Sequence, residues 1–303
     1  MMKKKLPNFL IVGAAKSGTS SLHNYLNQHP DVFMPSYNEK GMKVKEPRFL
    51  IKNLVKDRLH NGIWSLEEYQ SLFNKVKSEK MIGESTVLYL YYYKEAIQNI
   101  KKYLGEDVKI IIMLRHPVDR AFSAYTHVAR GINENLPFEK ALEVENKRLI
   151  NDVSLTPMVM YKDMGLYHDM VKSYLENFKH VHIIMYEDFQ EDAGKVVVET
   201  LAFLGILDTA KLDTISRHNV GGKRWRFSLL KQFFMRDNFL KKWFRFLFPR
   251  SLRKRFRILV EFFLKEEVKP ISERTRKKLL TFFKEDILKL EKLLNTNLNH
   301  WKE

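Results

Sequence analysis

Apolar residues along this chain fall into two patterns. Short runs that stay apolar at successive positions suit strands buried on both faces, and they occur at Phe9–Val12, Val32–Met34, Met81–Ser85, Val108–Leu114 and Val181–Tyr186. Between and after them, apolar residues recur every three or four positions, which predicts helices over Ser20–Asn27, Tyr89–Leu104, Val118–Arg130, Gly165–Phe178 and Gly194–Leu204. Pro117 suits the first turn of the third of these. As far as Val220 the alternation has the rhythm of βαβ units, so the predicted fold is α/β: a three-layer, P-loop-like fold with a central, mostly parallel sheet of about five strands flanked by helices. Ser272–Leu294, with Lys and Glu on its outer face, reads as a C-terminal helical extension. With no internal repeat and no Pro/Gly/Ser-rich linker, residues 1–303 are expected to form a single domain.

Composition narrows the class. A chain of 303 residues, 45% apolar and 29% charged, can bury a sizeable α/β core and argues against wholesale disorder. The absence of cysteine excludes disulfide scaffolds, thiolate metal sites and cysteine nucleophiles, and fits a cytoplasmic protein. The basic start MMKKK precedes an apolar run that breaks at Gly13, too short for a signal-peptide core. No run approaches the ~20 apolar residues of a membrane span.

Charge is unevenly placed. Of the formal +17, the stretch Lys223–Lys265 holds 14 Lys or Arg against 2 Asp or Glu, a net of +12, together with 10 of the 21 phenylalanines. Helical spacing of Leu230, Phe233, Phe234, Leu240, Trp243, Phe244 and Leu247 predicts one or two amphipathic helices within Arg224–Phe263. Three roles stay open for this segment: an apolar stripe packed on the domain, a lid and groove for an anionic glycan, or a helix lying on a membrane surface. Charge alone would also suit nucleic acid, but no recognised nucleic-acid module is present and none is expected as a partner.

The chemistry begins at Gly13-Ala14-Ala15-Lys16-Ser17-Gly18-Thr19-Ser20. This segment follows a buried strand and opens a helix, so backbone N–H groups and the helix dipole converge on one anion-sized spot. In the ATP/GTP loop a lysine follows the last glycine and a Ser/Thr holds Mg²⁺. Here Thr19 takes the lysine's place, and Lys16 sits inside the loop, where an ammonium can bridge a phosphate and the group attached to it. Val108–Leu114 ends in Arg115 and not in a magnesium-binding acid. In open parallel sheets ligands sit beyond the carboxyl ends of the strands, which puts Arg115 on the same rim as the loop, ready to clamp a second phosphate with its planar fork. The competing role for Arg115 is neutralisation of Asp119.

With these motifs in hand, the chain resembles the sulfotransferases that use 3′-phosphoadenosine 5′-phosphosulfate (PAPS), in their bacterial and glycan-modifying branch. The resemblance runs through GAAKSGTSSL, KEPRFL, GEST, LRHPVDRAFSAY, GLYHDMVKSYLENF, IIMYEDF, HNVGGKR and the closing ISERTRKKLL…LNHW. It implies Lys16, Ser17, Gly18, Thr19 and Ser20 around the 5′-phosphosulfate, Arg115 and Ser123 on the 3′-phosphate, and Gly222, Lys223 and Arg224 in a loop closing over the nucleotide. It also implies Glu46 as general base, in a turn where relatives commonly carry His at the position of Arg48.

The expected reaction is sulfuryl transfer from PAPS to an acceptor hydroxyl of a sugar or glycan, free or lipid-linked, with no metal. Lys16 would stabilise the leaving phosphate oxygen, and Glu84 and Arg48 would serve acceptor binding, with Glu84 as the reserve acid. A glutamate among lysines is a weak base unless burial or a nearby negative charge raises its pKa, and the competing role for Glu46 is a surface ion pair with Lys45 or Arg48. His116, wedged between Arg115 and Pro117, reads as a turn residue. The alternatives are an ATP/Mg²⁺ kinase built on the same loop, or a basic membrane- or nucleic-acid-binding module.

Overall fold

Five strands, β1 (Phe9–Gly13), β2 (Val32–Phe33), β3 (Met81–Ser85), β4 (Lys109–Leu114) and β5 (Val181–Met185), pair in the order β2-β3-β1-β4-β5 in a computed structural model of the chain. Every pairing among them is parallel. The structure describes residues 5–36, 44–131, 134–207, 212–214, 223–225, 265–267 and 270–303, with backbone alone at 223–225 and 265–267.

Successive side chains of a strand point to opposite faces, and both faces here are apolar. On β1, Leu10 and Val12 join one core while Phe9 and Ile11 join another; on β4, Ile110 and Ile112 oppose Ile111 and Met113 in the same way. Continuous apolar runs therefore read correctly as strands covered on two sides. The principal helices are α1 (Thr19–Leu26), α2 (Tyr93–Tyr103), α3 (Pro117–Ala129), α4 (Phe138–Asn151), α5 (His168–Asn177), α6 (Tyr186–Glu191), α7 (Ala193–Leu204) and α8 (Glu273–Leu294). α2, α3, α5 and α8 bury their apolar stripes on the Leu10 face, and α1, α6 and α7 on the Phe9 face. Gly83 of β3 is dictated by packing, because a Cβ there would stand 2.1 Å from the ring of its neighbour Phe9.

The terminal helix α8 starts at a Ser272 cap whose Oγ accepts the Thr275 N–H at 3.2 Å. It buries Leu279, Phe283, Ile287 and Leu290 at helical spacing. Among the described residues no helix is long and apolar enough to cross a membrane.

Three predicted helices change shape. Tyr89–Leu104 is broken at Tyr92 into Leu88–Tyr91 and α2; Tyr91 donates to Asp163 at 2.6 Å and Tyr89 accepts from the Leu50 amide at 3.3 Å, so the first turn is held by its neighbours and not by the helix that follows. Gly165–Phe178 begins as a separate turn, because the Tyr167 and His168 amides donate to the Asp286 carboxylate at 2.7 and 3.2 Å and start α5 there. At Arg224 the predicted helix is a strand: Lys223–Trp225 pairs antiparallel with Lys265–Glu267, setting Lys223 opposite Glu267 and Arg224 opposite Glu266. Facing positions of opposite charge favour such a pair. The rest of the basic aromatic segment lies outside the described residues. α4 has no counterpart among the sequence-predicted helices.

Candidate active site

The strand order creates the site. From β1 the chain departs toward β3 and β2, and from β4 it departs toward β5, so the crevice beyond the carboxyl ends of β1 and β4 is the switch point of the sheet. The Ala14 amide donates to the Met113 carbonyl at 2.6 Å, fastening the loop after β1 to β4. A cleft of about 1010 Å³ opens here.

The loop then needs two left-handed residues, Lys16 (φ 73°) and Gly18 (φ 88°), to turn into α1. Glycine adopts that conformation without cost, and a Cβ at Gly18 would press on the ring of Tyr186 at 3.2 Å. Gly18 stands at the N-cap of α1, with no side-chain cap and no acid in the first turn. The first N–H groups of a helix have no partner within it; that of Ser21 turns back to the Gly18 carbonyl at 2.9 Å, which leaves those of Thr19 and Ser20 as donors at a cleft wall that both residues line. Ser17 is wholly buried, outside the lining, and its Oγ has no hydrogen-bond partner among the described residues.

Lys16 and Arg115 meet in this cleft. Arg115 Nη1 donates to the Lys16 carbonyl at 3.1 Å, its guanidinium lies 4.5 Å from the centre of the Tyr186 ring, and Tyr167 Oη donates to its carbonyl at 3.0 Å. Asp119 is not its partner: that carboxylate takes Arg276 at 2.8 Å. Neither Lys16 nor Arg115 has a carboxylate within ion-pair distance among the described residues. Burial, then Arg130 and Arg115, pull the Lys16 ammonium down to about 8, with Glu46 opposing them. Uncompensated positive charge at a helix N-terminus is an anion site.

Ser123 lines the same cleft from α3, with Phe122 and His127 beside it. His127 is pushed down to about 4 by burial and by Lys16 and Arg130, so it stays neutral. The backbone of Lys223–Trp225 lies against α3; Lys223 and Arg224 are strand residues and not loop residues, and Gly222 lies outside the described residues.

Glu46 and Arg48 also line the wall of the cleft. Glu46 is one-quarter exposed and forms both ion pairs open to it, with Lys45 at 3.7 Å and Arg48 at 3.3 Å, yet it also faces the cleft that holds Lys16. Arg48, left-handed at φ 60°, donates as well to the Asn61 carbonyl.

Glu84 is not brought to this wall. It is fully buried beneath the Glu46 turn, accepting from Tyr69 at 3.3 Å and Thr86 at 3.0 Å, and burial pushes its carboxyl up to about 7 against the pull of its hydroxyl donors. His116 is a helix cap: its Nδ1 accepts the Val118 amide at 3.2 Å and its own amide donates to Glu187 at 3.0 Å. Sequence reasoning missed His127, Tyr186 and Arg130. His127 lies one helical turn past Ser123, a spacing that shares a face, and Tyr186 directly follows a strand, so both carried a usable signal.

Residues 6–257 match the sulfotransferase domain family. The chain belongs to the sulfotransferase family. A crystal structure of a sulfotransferase from Alicyclobacillus acidocaldarius is similar over 99% of this chain and 100% of that one, at 30% identity and a TM-score of 0.70. Curated relatives include the membrane-associated sulfotransferase kil1 of Dictyostelium discoideum, 29% identical over 46% of this chain and 27% of its own length. The mouse heparan sulfate glucosamine 3-O-sulfotransferase 3B1 is 28% identical over 58% of this chain and 39% of its own length. The match thus spans well under half of either curated relative. The five-stranded parallel sheet with helices on both faces and a C-terminal helix is the architecture this sulfotransferase shares with its bacterial neighbour.

Proposed function

We propose that this sulfotransferase moves a sulfuryl group from PAPS to a hydroxyl of a sugar or glycan. The observation that carries the reading is the meeting of Lys16 and Arg115 in one cleft, where Arg115 Nη1 donates to the Lys16 backbone carbonyl at 3.1 Å, with Glu46 lining the same cleft. The residues fit a doubly anionic nucleotide: among the described residues Lys16 and Arg115 have no carboxylate within ion-pair distance, and the N-terminus of α1 has no side-chain cap. The loop and Lys16 would hold the 5′-phosphosulfate, and Arg115 with Ser123 the 3′-phosphate. The strand carrying Lys223 and Arg224 would flank the nucleotide.

Transfer would proceed by in-line displacement. The acceptor oxygen forms a bond to sulfur as the bond from sulfur to the phosphate oxygen breaks; the acceptor's proton passes to Glu46, and the electron pair stays on the phosphate oxygen, facing the Lys16 ammonium. No metal is needed for that charge balance. A sugar acceptor is supported by relatives named for heparan sulfate glucosamine.

Thermal denaturation with ligands tests the donor. 3′-Phosphoadenosine 5′-phosphate should raise the midpoint, and go on raising it with the logarithm of its concentration above the dissociation constant. Stabilisation by ATP with Mg²⁺ alone would replace this reading with a kinase, which Thr19 at the lysine position disfavours. Transfer of labelled sulfate from PAPS to heparan sulfate oligosaccharides, set against simple phenols, tests the acceptor class.

A further inference from the structure

We propose that Glu84 is a positioning residue for Glu46, acting through the Thr86 and Tyr89 hydroxyls on the backbone of the turn that carries the base. The role in transfer rests on Glu46 being that base.

The contacts form two parallel relays. Arg48 N–H donates to Thr86 Oγ1 at 3.3 Å, and Thr86 Oγ1 donates to Glu84 Oε2 at 3.0 Å. Leu50 N–H donates to Tyr89 Oη at 3.3 Å, and the Tyr89 hydroxyl lies beside the Glu84 carboxyl. The segment Glu46-Pro47-Arg48-Phe49-Leu50 is thus held from below at two amides by hydroxyls that share one carboxyl. Tyr69 Oη donates to Glu84 Oε1 at 3.3 Å, and Tyr174 Oη ties the Tyr89 carbonyl at 2.9 Å.

Proton counting gives the carboxyl its function. A hydroxyl carries a single hydrogen, whereas an ionised carboxylate only accepts, with room for about four hydrogen bonds. Thr86 and Tyr89 each receive an amide N–H, so their own hydrogens must go elsewhere; that of Thr86 goes to Glu84, and the same carboxyl lies beside Tyr89. Ionised, it accepts from Tyr69 and Thr86 and draws the Tyr89 hydroxyl toward it. Protonated, it would become a donor itself, the hydroxyl hydrogens would compete for the lone pairs that remain, and both ties to the turn would loosen.

The groups facing Glu84 are Tyr69, Tyr89, Thr86 and, at longer range, Glu46 and Tyr174; burial raises all three tyrosines well above their usual range, so none of them titrates near neutrality. Glu84, pushed up to about 7, is the member of this set that can switch the network between its two arrangements. Fully enclosed, it touches neither cleft nor solvent, so it acts through the turn.

Amide hydrogen exchange resolved at Arg48 and Leu50 is the test, corrected for intrinsic rates and followed from pH 6 to 8.5 on the full chain. Protection at both amides is expected to rise by about tenfold or more as pH passes the Glu84 transition, and to lose that rise in Glu84→Gln. Thr86→Val should lose it at Arg48 alone, and serves if Glu84→Gln does not fold; Thr86→Ser, which keeps the hydroxyl, should retain it. With heparan sulfate oligosaccharides as the probe acceptor, Glu84→Gln should lower kcat about 10-fold while the donor KM stays unchanged. Equal, pH-independent protection in wild type and Glu84→Gln would overturn the proposal. Exchange needs no nucleotide, so that failure is distinct from a failure of wild type to bind 3′-phosphoadenosine 5′-phosphate, which would strike the donor assignment instead.

Discussion

The Arg115 guanidinium donates to the backbone carbonyl of Lys16 at 3.1 Å. An arginine at the tip of β4 therefore fixes the shape of the loop after β1 as well as adding charge to it. Removing either side chain should weaken binding of 3′-phosphoadenosine 5′-phosphate by about 10- to 100-fold, the range for hydrogen bonds to charged groups. The two losses should not add. A titration-calorimetry cycle of Lys16→Met, Arg115→Ala and the double variant is expected to return a coupling of about 0.5–3 kcal/mol; strict additivity would mean that the two residues act on the nucleotide independently and that Arg115 does not set the loop.

Glu46→Gln should remove most of the transfer rate while leaving donor binding near wild type, because the side chain lines the cleft but is not among the groups proposed to hold the nucleotide. Its pairs with Lys45 and Arg48 are largely buried, so losing them should also lower the thermal midpoint. Stopped assays with labelled PAPS read the rate. Turnover at the wild-type level would move the base elsewhere, and Glu84, sealed below the turn, is not available to take protons directly from an acceptor in the cleft.

The Lys16 ammonium predicts a falling limb in the pH profile. Burial, with Arg130 and Arg115, lowers it to about 8, so the charge is present below that value and lost above it. For the free enzyme, kcat/KM for the donor should decline as pH rises past about 8. Lys16→Arg, which stays charged, should abolish the decline even if its rate is low.

Glu84 makes an opposite prediction for stability. Its folded pKa is raised from 4.5 to about 7, chiefly by burial, so the folded state holds the proton more tightly and the group's contribution is full below 4.5 and lost as pH rises through 7. The stability of wild type minus that of Glu84→Gln should fall by about 3 kcal/mol across that interval. Urea unfolding at several pH values measures it, and taking the difference cancels the buried neutral His116 and His127, whose lowered pKa values act in the other direction.

Gly18→Ala places a side chain at φ 88° and within 3.2–3.3 Å of Tyr186, Met113 and Phe189. The left-handed backbone alone costs about 1–2 kcal/mol. Stability should drop by at least that amount and donor affinity should drop with it, since the same backbone shapes the cleft; denaturation with and without nucleotide checks both.

How far the site could be read from the chain follows from where its parts lie. Met81–Ser85 was legible to the residue from its length and its place in the βαβ alternation, since a run of five has no period of its own. Lys16 and Arg115 were legible together because each ends a parallel strand, and strand tips share a rim. Glu84 also ends a strand, but that rule gives the rim and not the direction of the side chain. Its enclosure depends on Tyr69, Thr86 and Tyr89 converging from separate elements, which no local spacing displays. The strand Lys223–Trp225 was hidden for another reason: three residues carry no periodicity, and the partner Lys265–Glu267 lies on the far side of the aromatic segment.

The neighbourhood of β1 and β4, with β2 and β3 intervening in the chain, also bears on assembly. Contacts between such remote stretches must wait for a long loop to close. A nascent polypeptide that has emerged only through β3 possesses Gly18 and its turn but no Met113 carbonyl to anchor them and no Arg115 to complete the grip. Nucleotide affinity in this molecule is therefore a property of the docked sheet and not of the loop, and capture of the nucleotide by growing chains would report the moment at which β4 is seated.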